Sequence, residues 1–179
     1  MRATMIITAG VIAVIGCGKN KTTPVAAMSA TGRATAAVVN ASGRQLGVLT
    51  VANGTGGITV TGTLRGLTPG DHGIHIHTIG MCDGPAFTTA GGHWNPTTKM
   101  HGSQNPQGQH FGDMMNITAG ADSTAKVQLT TKGGSLHGTD MLMDADGAAI
   151  VVHATADDYK TDPSGNSGAR VACGVIKGS

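Results

Sequence analysis

At 179 residues with a net charge of +2, the chain is long enough for one domain with a real core. It carries neither the basic balance nor the basic runs that nucleic-acid binding needs. With one Trp, one Tyr and two Phe, the core has to be built from Val, Ile, Leu, Met and Ala; the 29 glycines follow no collagen-like period and read as turns and tight loops.

The first predicted element is a targeting signal. In MRATMIITAGVIAVIGC, Arg2 supplies a positive end, residues 5–15 a short apolar run and Gly16-Cys17 a small-residue processing site, so residues 1–16 read as a signal peptide. The run is too short to span a bilayer. VIGC, at 14–17, resembles the lipobox of bacterial lipoproteins. That resemblance implies lipid on Cys17, membrane association through this anchor alone, and a periplasmic or cell-envelope location. The alternative is an ordinary secretory signal cleaved further on, near AAMSA. Three cysteines are an awkward number for an exported chain. A lipidated Cys17 leaves Cys82 and Cys173 as one pair in an oxidising compartment. Residues 17–31, small and polar with one Pro, suit a flexible tether, and the domain proper is expected over 32–179.

From Gly32 the hydrophobic period is two. ATAAVVN and QLGVLTV flank ASGR, and NGTGG follows, which predicts two hairpins. In ITVTGTLRGL, at 58–67, Ile58, Val60 and Leu64 share one face while Thr59, Thr61, Thr63 and Arg65 share the other. In GDHGIHIHTIG, at 70–80, a strand places His75 and His77 together on one face and Ile74 and Ile76 on the opposite one. The isoleucines pin the strand to a core and leave two imidazoles side by side on an outer face. Further strands are expected at 124–131, 148–154 and 170–177. No segment shows a helical stripe. Short strands, frequent turns and one domain predict an antiparallel sandwich or barrel.

Two stretches break the rhythm: residues 79–112, rich in Gly, His, Asn and Pro, and the shorter polar 154–169. Loops of such length in a small domain are usually functional. The first, with Asp113 just beyond it, carries His93, His101 and His110, the last able to meet Asp113 across a tight turn. With His75, His77 and His153, six of the eight histidines and one carboxylate form a ligand inventory. Seven donors exceed one tetrahedral zinc and fit two neighbouring metals that share a ligand. An all-imidazole set favours tetragonal copper; three His with one Asp suit tetrahedral zinc. His72 and His137 are read as ordinary residues, one holding a loop by hydrogen bonds, the other in a turn. Asp158 is read as a solvated loop acid.

GDHGIHIH, GGHWNP, HG, HFGDMMNITA, VVHATADD and GNSGARVACGVI together resemble, in order, the signatures of the copper/zinc superoxide dismutase family, from about Gly32 to Ile176. The H-x7-H-x8-H-x2-D spacing and GARVACGVI carry most of the resemblance. It implies an immunoglobulin-like, all-β, antiparallel Greek-key sandwich or barrel with a long metal-binding loop and a short electrostatic loop. It also implies an enzyme, exported and of bacterial type, that converts superoxide anion to dioxygen and hydrogen peroxide by Cu(II)/Cu(I) cycling. One copper and one zinc per chain are implied. The copper ligands would be His75, His77, His93 and His153. Zinc would be bound by His93, His101, His110 and Asp113, with His93 bridging as an imidazolate. Asp157 matches the aspartate that bonds one ligand of each metal, Arg170 the arginine at the mouth of the copper channel, and Cys82–Cys173 the intrasubunit disulfide. Substrate-steering charges of longer electrostatic loops find no match in YKTDPSGNSG, and the sequence leaves monomer or homodimer open. The rival readings are a non-enzymatic copper/zinc-binding or copper-delivery protein on the same fold and, further off, a zinc hydrolase, whose open coordination position four protein ligands would close.

Overall fold

Alternation at period two becomes a meander at the start of the domain. In the computed structural model, which describes residues 32–138 and 140–179, β1 (Arg33–Asn40), β2 (Gln45–Gly54) and β3 (Gly57–Arg65) pair in succession as two antiparallel hairpins. The expected signal peptide, lipidated Cys17 and tether lie outside the described residues. Along β1 the small apolar residues Ala34, Ala36 and Val38 turn inward and Thr35 and Ala37 outward, as a half-buried strand requires.

The remaining strands are β4 (Gly70–His72), β5 (Ile74–His77), β6 (Ile117–Ala119), β7 (Thr124–Thr130), β8 (Ala149–His153) and β9 (Arg170–Gly178). Their order across the sheet is β4-β6-β7-β3-β2-β1-β9-β8-β5. β4 and β5 stand at its two ends yet are joined through Gly73 alone, so the sheet almost closes into a barrel and leaves little free edge. β7 pairs with β3, while β8, next in the chain, lies beside β9 on the far side of β1; that crossover makes the topology a Greek key. Inside sit Leu49, Val51, Ile58, Val60, Leu64, Ile74, Ile76, Ile150 and Val152, all 0% exposed. Each such side chain contributes about 1.5 to 3 kcal/mol of burial.

β5 and β8 depart from half-burial. Every residue in both is buried. Their inner faces, Ile74 and Ile76 with Ile150 and Val152, join the barrel core. On the outer face of β8, Ala149 and Val151 pack with Phe87, Ala90 and Cys173 in a second apolar cluster. His75 and His77 do share a face, as expected, but it is not an outer one: they are 0% and 1% exposed. The cover comes from residues 78–116, which fold back over the strand. The disulfide Cys82–Cys173, with Cα atoms 5.6 Å apart and a sequence separation of 91, ties that cover to β9. Closing a loop of this length removes about 4 to 5 kcal/mol of unfolded-chain entropy.

Candidate metal centre

Backbone pairing, rather than side-chain contact, brings the loop to the strand. Trp94 N–H donates to Ile76 O at 2.8 Å, Ile76 N–H to Gly112 O at 2.9 Å, and Gly112 N–H to Trp94 O at 2.8 Å. Isolated bridges therefore set His93 opposite His77 and Asp113 opposite His75. Gly112 permits the approach, since a Cβ there would stand 2.2 Å from Ile76 O. Trp94 and Phe111 pack edge to face at 5.5 Å and hold the two loop arms together. Asp113 closes the turn with His110: its Oδ2 accepts the backbone N–H groups of His110 at 3.0 Å and Gly102 at 2.9 Å. Its Oδ1 is left facing the histidine rings.

His75, His77, His93 and His153 form the first cluster, with donor atoms within 4.8 Å of one another. Three of these rings are anchored from outside. His75 Nε2 lies 2.7 Å from Asp157 Oδ2, His77 Nδ1 2.9 Å from Gly91 O, and His153 Nδ1 3.1 Å from Gly168 O. Such acceptors fix the proton on the outer nitrogen and leave the inner one a bare lone pair. Those inner atoms, His75 Nδ1, His77 Nε2 and His153 Nε2, are buried without a partner, and so is His93 Nε2. A buried polar atom left unpaired costs about 1 to 3 kcal/mol. Four converging on one point are explained by a cation. Burial also pushes His75 down to about 3, His77 to about 2 and His153 to about 4, so their lone pairs are free at neutral pH.

The second cluster gathers on one oxygen. Asp113 Oδ1 lies 2.8 Å from His93 Nδ1, 3.0 Å from His101 Nδ1 and 3.2 Å from His110 Nδ1, with His93 and His110 Nδ1 atoms 3.4 Å apart. Zinc–ligand distances of about 2.0 Å give a tetrahedral edge of about 3.3 Å, close to these separations. The donor set of three imidazoles and a carboxylate fits zinc. Burial works against charge at His101, yet the bonds to Asp113 and Asp157 outweigh it and raise the ring to about 9. Burial likewise opposes ionisation of Asp113, but His101, His110 and His93 hold it well below the usual carboxylate range. A metal ion held in this cage would displace the protons that these rings share with Asp113. His93 belongs to both clusters, one ring nitrogen in each.

The family profile of copper/zinc superoxide dismutase matches residues 46–176. The chain belongs to the copper/zinc superoxide dismutase family. The superoxide dismutase of Caulobacter vibrioides is 45% identical over 148 residues, covering 80% of this chain and 85% of its own. One from Aquifex aeolicus is 39% identical over 146 residues, covering 78% and 85%. A crystal structure of a superoxide-dismutase-like protein from Bacillus subtilis superposes with a TM-score of 0.75 at 39% identity, covering 79% of this chain and 96% of that one. The chain is an oxidoreductase of this superoxide dismutase family, with copper and zinc as the cofactors that its histidine clusters are able to bind.

Other side chains of this superoxide dismutase fold frame the two cages. Asp157 spans them, Oδ2 on His75 and Oδ1 3.0 Å from His101 Nε2. It is itself fixed by Tyr159 N–H at 2.6 Å and by Asn116, which exchanges two bonds with its backbone. Arg170 lines, with His77, His93, His153 and Ser164, a cavity of about 370 Å³. Its guanidinium donates to Phe87 O and Gly91 O, both at 2.7 Å. Gly91 O thus holds both Arg170 and His77. His72 holds a loop, its ring nitrogens 2.7 Å from His153 O and 2.8 Å from Thr68 O. His137 stands outside both clusters; its carbonyl accepts the Ser135 hydroxyl at 2.8 Å. Asp158 is exposed but does more than a solvated acid. It accepts bonds from Lys160 N–H, Thr161 N–H and hydroxyl, and Asn166, and so shapes the short loop. Asn116 lies within HFGDMMNITA and Tyr159 two residues beyond Asp157, but neither was singled out, because nothing in their residue types ties them to that carboxylate.

Proposed function

We propose that the chain dismutes superoxide at copper held by His75, His77, His93 and His153, beside zinc held by His93, His101, His110 and Asp113. The observation that supports this most directly is the set of four buried, unpartnered ring nitrogens aimed at one point. Bound there, copper supplies one-electron cycling between Cu(II) and Cu(I), which zinc cannot. Two superoxide ions and two protons then give one dioxygen and one hydrogen peroxide.

The residues divide the remaining work. His93 offers one ring nitrogen to each cage, so with both cages filled its ring would carry no proton, and its Nε2, when free, would be able to hold one beside the cavity that Arg170 lines. Asp157 keeps the His75 and His101 rings from turning. Arg170, tied by two carbonyls, presents a fixed positive charge to a small anion at the cavity that leads to His77 and His153. Phe87 and Gly91, which hold it, belong to the segment that the Cys82–Cys173 disulfide fastens to β9. The disulfide also supports an exported location. On this reading residues 1–16 are a signal and 17–31 a tether, and a lipid anchor at Cys17 rests on VIGC alone.

The metal-loaded domain is expected to accelerate superoxide decay with one peroxide formed per two superoxide ions consumed, measured by stopped-flow mixing and peroxide titration. Protein that holds copper yet leaves superoxide decay at its spontaneous rate would support the copper-delivery reading instead. The complete ligand set together with Arg170 favours the enzyme. Arg170→Ala is expected to lower kcat/KM about tenfold at low ionic strength. The deficit should narrow as salt screens the charge, with metal content unchanged. Equal efficiency in the two proteins at low salt would remove Arg170 from substrate capture.

A further inference from the structure

The outer nitrogens of the ligand histidines are nearly all accounted for. Those of His75 and His101 face Asp157, that of His77 faces Gly91 O, and that of His153 faces Gly168 O. His93 has none, because both its nitrogens point into the cages. His110 is the remaining ring. Its Nδ1 faces Asp113, and its Nε2 faces Asp162 Oδ1 at 3.9 Å. The same Asp162 oxygen accepts the backbone N–H of His101 at 2.6 Å. Asp162 therefore grips one zinc-side histidine by its backbone and looks onto the ring of another. Its side chain is 35% exposed, and that of His110 only 7%. The carboxylate is the freer partner, and a shift of about 1 Å brings the pair to hydrogen-bond distance.

We propose that Asp162 is a positioning residue for His110, accepting its Nε2–H in the metal-loaded protein, so that the loop at 154–169 clamps the zinc cage with two carboxylates, Asp157 and Asp162. This rests on the reading of His93, His101, His110 and Asp113 as zinc ligands. An acceptor on the outer nitrogen fixes the tautomer, holds the ring plane toward the ion and strengthens the inner nitrogen as a ligand. Asp162 does for His110 what Asp157 does for His101, and it does so from the same loop.

The test uses copper/zinc-loaded protein with Asp162→Asn and Asp162→Ala. Zinc affinity, read by competition with a chromophoric chelator, is expected to fall about 10- to 100-fold in Asp162→Ala. The fall should be smaller in Asp162→Asn, whose amide oxygen still accepts a weaker bond. In the diamagnetic Cu(I) form, nitrogen-resolved NMR is expected to show the His110 Nε2–H exchanging faster in both variants. The outer N–H signals of His75, His77 and His153 should stay as in the unsubstituted protein. That selectivity is what a mere loop staple would not produce. The proposal is overturned if zinc affinity and the His110 signal are unchanged, or if all the histidine signals and both metals are lost together. If the unsubstituted protein itself takes up no zinc, the reading of the second cage fails first, and the proposal with it.

Discussion

His153→Ala is expected to bring superoxide consumption down to that of the copper-free protein while zinc stays bound. His153 contributes one buried, unpartnered nitrogen to the first cluster and none to the second. Its loss leaves copper with three imidazoles where a tetragonal site wants four. Changing an outer hydrogen-bond partner already costs metal sites about 10- to 100-fold in affinity, and removing a ligand outright should cost more. His110→Ala is the counterpart, since His110 belongs only to the second cluster. It should lose zinc first. Metal analysis of the two variants, run beside the superoxide assay, reads both arms. Full activity in His153→Ala, or equal loss of zinc from both variants, would mean that the cages are not divided as proposed.

The second large effect is expected at a residue that touches no metal. Gly165 has φ +64, and a Cβ on it would fall 1.8 Å from Asp157 Oδ1 and 2.7 Å from His101 Nε2. Gly165→Ala therefore drives a methyl group into the bond between Asp157 and His101. Backbone strain adds about 1 to 2 kcal/mol, the ordinary cost of a left-handed conformation for an L-residue. Gly43 isolates that second contribution, because its φ is +79 and nothing lies within 4 Å of the site of its Cβ. Gly43→Ala should lower thermal stability slightly and leave the metals alone. Gly165→Ala should weaken zinc about 10- to 100-fold and alter the copper absorption band, because Asp157 also holds His75. The account of Asp157 as the joint between the cages fails if Gly165→Ala matches Gly43→Ala in zinc content and copper spectrum.

What the sequence made legible, and what it did not, follows the range of the interactions. β1, β2, β3 and β7 were readable from apolar residues recurring along one face of the strand, and β8 and β9 from short apolar runs bounded by turn-rich stretches. β4 and β6, three residues each, are too short to alternate, and they exist because β7 and the end of β3 bring them together. The shared face of His75 and His77 was local information. Its burial was not, since the cover is residues 78–116 folding back through bonds to Ile76. The ligand inventory could be assembled from residue types and spacing, and the resemblance divided it between two metals. Which nitrogen of each ring faces inward could not be foreseen. It depends on acceptors as remote as Gly168 for His153 and Asp157 for His75, 82 residues away. Asn116 reaches Asp157 across 41 residues and Gly165 lies against His101, so neither role could be read locally; Tyr159 bonds Asp157 through its backbone N–H, which its residue type does not signal.

The most direct measurement is anomalous diffraction from crystals of the oxidised, metal-loaded protein, recorded at the copper and zinc absorption edges. The predicted result is a copper peak enclosed by His75, His77, His93 and His153, and a zinc peak enclosed by His93, His101, His110 and Asp113, with the imidazole of residue 93 between them. A single peak shared by all seven side chains, copper confined to the cage containing Asp113, or a residue 93 ring that bonds one ion and leaves the other, would contradict it.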